Sequence, residues 1–177
     1  MDERVICIYE GEQEFDVTNY KFAIYKEDAE KNIVFVNVIF IEKGTKNIYT
    51  WEGDSLVQIG NMKQSEIEVD ERYKNKSQIN LLYENVELEY LLEIVAEVLE
   101  EKGYEDLSLI YDGIIEFINR KYHVISSFKD YGDNIIREES YYVDMETGNL
   151  YREEENSVFL RSELYYVSNL NLFNERN

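Results

Sequence analysis

The chain has 177 residues and a formal charge of −20, from 38 acidic and 18 basic residues with its single histidine neutral. That imbalance excludes direct grip on nucleic acid or on an anionic membrane, because such binders neutralise phosphates with Lys and Arg. At 44% hydrophobic and 14% aromatic the composition also excludes a disordered chain.

In chain order, the first expected strand is Arg4–Tyr9, with a turn at Glu10-Gly11. A second strand covers about Tyr20–Tyr25 and breaks at Lys26–Asn32, where Asp and Asn favour turns. Ile33–Ile41 follows, apolar at almost every position, so both of its faces are expected to be covered. A tight turn at Glu42–Asn47 then leads to Ile48–Trp51. These elements make a first β-meander copy over residues 1–60, and residues 61–86 form a connector whose polar stretch 61–79 is where mobility is expected. A helix is predicted over about Glu87–Lys102. Leu88, Leu91, Leu92, Val95 and Leu99 recur there at helical spacing, and Gly103 supplies a left-handed cap.

After the helix the first pattern returns. Shifting the chain by 102 positions aligns residues 7–56 with 109–158 without a gap and gives 14 identities in 50 pairs, against about 4 expected by chance for this composition. Ile8-Tyr9-Glu10-Gly11 falls on Ile110-Tyr111-Asp112-Gly113, and Asn47 and Tyr49 fall on Asn149 and Tyr151. The expected second-copy strands are Leu107–Tyr111, Tyr122–Phe128, Ile135–Val143 and Leu150–Arg152, with turns at Asp112-Gly113, Lys129–Asn134 and Asp144–Asn149. Arg137, Glu138, Glu139 and Ser140 interrupt its third strand, so at least one face there should be wet. The expected fold is α+β. Two antiparallel β-meanders related by the repeat are joined by one long amphipathic helix packed on a sheet, the helix and second copy spanning 87–177 within one compact domain.

The run from Tyr122-His123-Val124-Ile125 through Ser140-Tyr141-Tyr142-Val143-Asp144-Met145-Glu146-Thr147-Gly148-Asn149-Leu150-Tyr151, preceded by the helix, resembles the end of PepSY-type domains over roughly Leu88–Tyr151. The resemblance implies a small α+β module, of a kind mostly extracytoplasmic or in propeptides, that binds or inhibits peptidases. The turn also has a physical basis of its own. Asp144 can accept from its own downstream backbone and Gly148 supplies positive φ, whereas Lys46 stands in the aligned slot of the first copy, so the two turns are expected to differ.

Chemistry-bearing residues are few. Cys7, the single cysteine, allows neither an internal disulfide nor a zinc site with two thiolates, and among Val5, Ile6 and Ile8 it is expected to be buried and inert. His123 is expected to be an ordinary strand side chain. Asp130 with Asp133 and Asn134, or Asp144 with Glu146, could offer oxygen ligands to calcium, but turns favour the same residues, and neither cofactor nor metal is expected. Tyr141, Tyr142, Tyr165 and Tyr166 are either a sugar or peptide platform or ordinary sheet packing. The N-terminal Met-Asp-Glu-Arg-Val lacks a secretory pattern and no run approaches a membrane span, so a cytoplasmic protein is expected.

Acidity is densest at residues 84–106, with nine acidic residues against Lys102. The expected function is therefore a non-enzymatic inhibitor that neutralises a basic protein partner, such as a nuclease or another nucleic-acid-binding effector. Its candidate binding residues are Glu89, Glu93, Glu97, Glu100 and Glu101 on the helix, with Glu153, Glu154 and Glu155 as a second cluster. A PepSY-like peptide- or peptidase-binding module is the alternative, and a carboxylate-based or metal-dependent enzyme a third reading.

Overall fold

A computed structural model describes residues 4–62, 86–158 and 160–171. It divides into two units, Met1–Ala29 with Ile33–Ile79, and Glu30–Asn32 with Asn80–Asn177. The expected connector at 61–86 and its mobility lie almost entirely outside the described residues.

The first unit is a meander of β1 (Arg4–Glu14), β2 (Thr18–Glu27), β3 (Ile33–Glu42), β4 (Asn47–Glu52) and β5 (Ser55–Asn61), each antiparallel to its neighbour in sequence. The second repeats that order with β6 (Leu107–Phe117), β7 (Arg120–Asp130), β8 (Ile135–Asp144), β9 (Asn149–Asn156) and β10 (Arg161–Asn169), preceded by α1 (Leu88–Glu101). Short hairpin loops dictate this arrangement, since parallel pairs would need long crossovers.

The α+β expectation is overturned. Strand accounts for 65% of the structure and helix for 10%, and α1, the one helix among the described residues, is short at 14 residues. The chain is mostly antiparallel β because two expected turns continue as strand and because Ser55–Asn61 and Arg161–Asn169, for which the sequence predicts no element, are strands as well. At Glu10-Gly11 and Asp112-Gly113 the chain does not turn. Pairing passes from Tyr9–Phe22 to Gly11–Lys21, and from Tyr111–Ile125 to Gly113–Val124, so Glu10 and Asp112 are extra residues in equivalent bulges. Gly11 and Gly113, at φ 109° and 121°, supply the backbone freedom such a bulge requires. The chain reverses later, at Ile118-Asn119 in the second unit, where both residues have positive φ as a two-residue hairpin loop demands.

Two further expectations fail in the first unit. Ile33, Phe35, Phe40 and Ile41 of β3 are buried, but Val36 is 49% exposed, so one face is only partly covered. Cys7 is exposed on β1, not buried, although partial shielding of its sulfur raises the thiol pKa and so disfavours the reactive thiolate.

In the second unit the core lies between α1 and one sheet face. Leu91, Val95 and Leu99 are fully buried against Ile125, Tyr141, Val143, Met145 and Leu150. Burial of each such side chain contributes about 1.5–3 kcal/mol, enough to hold a helix of this length in place. Gly103 (φ 88°) ends α1 in a Schellman arrangement, with Tyr104 N–H donating to the Leu99 carbonyl at 3.0 Å and Gly103 N–H to that of Glu100 at 2.9 Å. On the opposite sheet face four tyrosines from four strands pack edge to face, Tyr122 against Tyr142 at 5.9 Å and against Tyr151 at 6.3 Å, and Tyr151 against Tyr166 at 6.0 Å between centroids. Tyr142 and Tyr141 are thus buried packing residues, and Tyr165 and Tyr166 are half-buried.

Candidate acidic binding site

The glutamates expected on the helix form one surface. Glu89, Glu93, Glu97, Glu100 and Glu101 are all exposed, around the side of α1 opposite Leu91, Val95 and Leu99. No basic residue occupies the last turn. Glu100 and Glu101 therefore stand at the end of the helix where the macrodipole is negative and like charge is unfavourable. Glu89, Glu93 and Glu97 add like-charge repulsion at four-residue spacing, a few tenths of a kcal/mol per pair. The buried apolar face offsets both costs.

Glu153, Glu154 and Glu155 are not part of that surface. They lie on β9 and line a separate cleft of about 590 Å³ with Arg137, Glu138, Glu139 and Ser140 of β8. Ser162 of β10 and the exposed Leu160 complete its wall. Sequence reasoning did not select Glu138, Glu139, Arg137 or Arg152 for this site. The signal for Arg137, Glu138 and Glu139 was the charged interruption of the third strand in the second copy.

Both cleft arginines are engaged within the chain. Arg137 Nη2 lies 3.5 Å from Asp112, the bulge residue, and donates to Ser140 Oγ at 2.9 Å. Arg152 pairs with Glu139 at 3.5 Å and with Glu154, and donates to Tyr104 Oη at 3.2 Å. Burial raises the pKa of Glu139 despite the opposing pull of Arg152. Desolvation also raises that of Tyr142, helped by its hydrogen bond to Glu153. Glu153 also accepts from Ser162 Oγ at 2.6 Å.

The residues considered for catalysis or metal binding are held in structural roles. His123 is buried, with Nδ1 3.1 Å from Tyr111 Oη. Asp144 is fully buried: Oδ2 accepts from Arg120 at 3.1 Å, and Oδ1 accepts from the N–H groups of Glu146 and Thr147 at 2.8 and 3.2 Å. Asp130 Oδ1 accepts from Gly132 N–H at 2.7 Å within its own turn. Among the described residues no three His, Cys, Asp or Glu side chains are placed to hold a metal ion, and no helix is long and apolar enough to cross a membrane.

No protein family, curated protein or solved structure matches the chain.

Proposed function

We propose that this protein is a non-enzymatic acidic binder that occludes a basic protein partner, such as a nuclease or another nucleic-acid-binding effector. The observation that carries this reading is the outer face of α1, five exposed glutamates kept together against their own repulsion, with Glu100 and Glu101 also set against the helix dipole. A net charge of −20 extends the same field around them. Such a field speeds encounter with a cationic surface, and the carboxylates then occupy positions that phosphates would take.

The test is capture from host extract at low and at high salt, using the wild type and a variant with Glu89, Glu93, Glu97, Glu100 and Glu101 changed to Lys. The wild type should retain a basic protein at low salt and release it at high salt, and nucleic acid should compete for that protein. Retention of the same protein by the variant, or retention indifferent to salt, would sink the assignment.

A further inference from the structure

Antiparallel strands joined by a tight turn ordinarily pair along their shared length. β8 and β9 do not. Their ladder covers Tyr141–Arg152, Tyr142–Tyr151 and Val143–Leu150 and stops there, although β8 runs back to Ile135 and β9 on to Asn156. Each strand is drawn to its outer neighbour. β8 continues along β7 through Phe128–Arg137, Lys129–Ile136 and Asp130–Ile135, with a bulge at Glu138-Glu139 held by Ser127. There Glu139 N–H donates to Ser127 Oγ at 3.2 Å, and Ser127 Oγ donates to the Glu139 carbonyl at 3.4 Å. β9 continues along β10 through Glu153–Leu164, Glu154–Glu163, Glu155–Ser162 and Asn156–Arg161. The cleft of about 590 Å³ lies between the two diverging strands. Its walls are the inner edges of β8 and β9, where a strand presents main-chain donors and acceptors to any chain laid beside it.

We propose that this cleft receives an extended, lysine- or arginine-bearing segment of a partner protein as an added strand. Charge decides the occupant. Five glutamates line the cleft against two arginines, and both arginines already hold acidic partners of this chain. A second copy of this protein, itself at −20, is disfavoured there. Alternate side chains of an inserted strand would face opposite sides of the sheet. Glu153 and Glu155, two residues apart on β9, would meet basic residues at every second position. The site takes its choice of basic side chains from the acidic-binder reading, and it adds a second contact of a different kind to the α1 face.

The test uses the full protein and a labelled peptide of about seven residues alternating Lys and Thr, a length that covers the unpaired stretch of either strand. A second peptide has alternate amides N-methylated, which removes main-chain pairing and keeps the charge. Anisotropy titration gives the affinities, and hydrogen exchange followed by NMR locates the contact. The inference requires saturable binding, at least about tenfold weaker for the methylated peptide because two or more hydrogen bonds are lost. It also requires slowed exchange at residues 137–140 and 153–155. Equal affinity for the two peptides, protection confined to other strands, or no saturable binding by millimolar peptide would overturn it. The α1 five-lysine variant separates the two readings. Undiminished host-partner capture by that variant, with peptide binding intact, removes the helix from the account and leaves the cleft. Salt-sensitive capture by α1 with no binding in the cleft removes the cleft and leaves the helix.

Discussion

Lys46 and Gly148 hold the same left-handed backbone conformation at equivalent positions of the two units, with φ 64° and 69°. In each turn the residue's N–H closes onto the carbonyl at the start, Lys46 to Glu42 at 3.0 Å and Gly148 to Asp144 at 2.8 Å. The two turns were expected to differ because one has lysine where the other has glycine. They do not differ in this respect, and the hairpin geometry overrides the side chain. Lysine bears a steric cost in that conformation that glycine avoids. Lys46→Gly should therefore stabilise the protein by about 0.5–1 kcal/mol, less than the full strain because glycine also loosens the unfolded chain. Gly148→Ala should destabilise it by about 1–2 kcal/mol. Urea unfolding of both variants checks the pair of signs.

Arg120 and Asp144 form a nearly dry ion pair, with side-chain exposures of 10% and 0%. Asp144 also accepts two backbone N–H groups of the β8–β9 turn. Asp144→Ala removes the buried carboxylate that faces Arg120 and accepts two turn amides, and should cost about 3–5 kcal/mol. Asp144→Asn keeps an acceptor for the turn amides and should cost less. Thermal unfolding of the two variants ranks them, and equal losses would show that the turn bonds contribute little.

Much of the repeat was legible because it rests on local chemistry. The shared Tyr-x-Gly bulge, the Thr-x-Asn turn and the leucine face of α1 all leave marks within a few residues. What was not legible depends on pairing. A Glu-Gly or Asp-Gly step serves a turn or a bulge equally well, since both need positive φ. Only the pairing of Tyr9 with Phe22 and of Tyr111 with Ile125 shows which was chosen. The true hairpin at Ile118-Asn119 puts a β-branched residue at φ 54°, where sequence rules would not place one. The strands β5 and β10 are held by their ladders with β4 and β9, and they carry the chain from an α+β to a mostly β composition. The acidic residues of α1 could be picked out from their spacing. The cleft could not, because it arises from β8 following β7 and β9 following β10.

The two sides of α1 should separate stability from binding. Leu91→Ala removes a fully buried side chain and should cost about 2–5 kcal/mol. Glu93→Ala, on the exposed side, should change stability by no more than about 0.5 kcal/mol. Denaturant midpoints measured on both, beside partner affinity, should show the first variant failing in stability and the second in binding alone.

Burial of Glu139 sets the sign of a pH dependence in the cleft. Burial raises its pKa above the ordinary 4.5, so the folded protein holds the proton more tightly than the unfolded chain. Its contribution to stability is greatest below 4.5 and declines as pH rises through the folded value. Glu139→Gln should flatten that part of the stability profile, as read from unfolding midpoints across the acid range. An unchanged profile would mean that Arg152 compensates the burial in full.

The salt dependence of affinity for the captured partner tests the central claim most directly. The α1 surface is exposed, so its attraction is screened over about 10 Å at 0.1 M salt and about 3 Å at 1 M. Plotted as log affinity against log salt, the wild type should fall steeply. The variant with the five α1 glutamates changed to lysine should bind more weakly at low salt and give a nearly flat line. Parallel lines of equal affinity would contradict the account and leave the acidity of α1 with no part in binding.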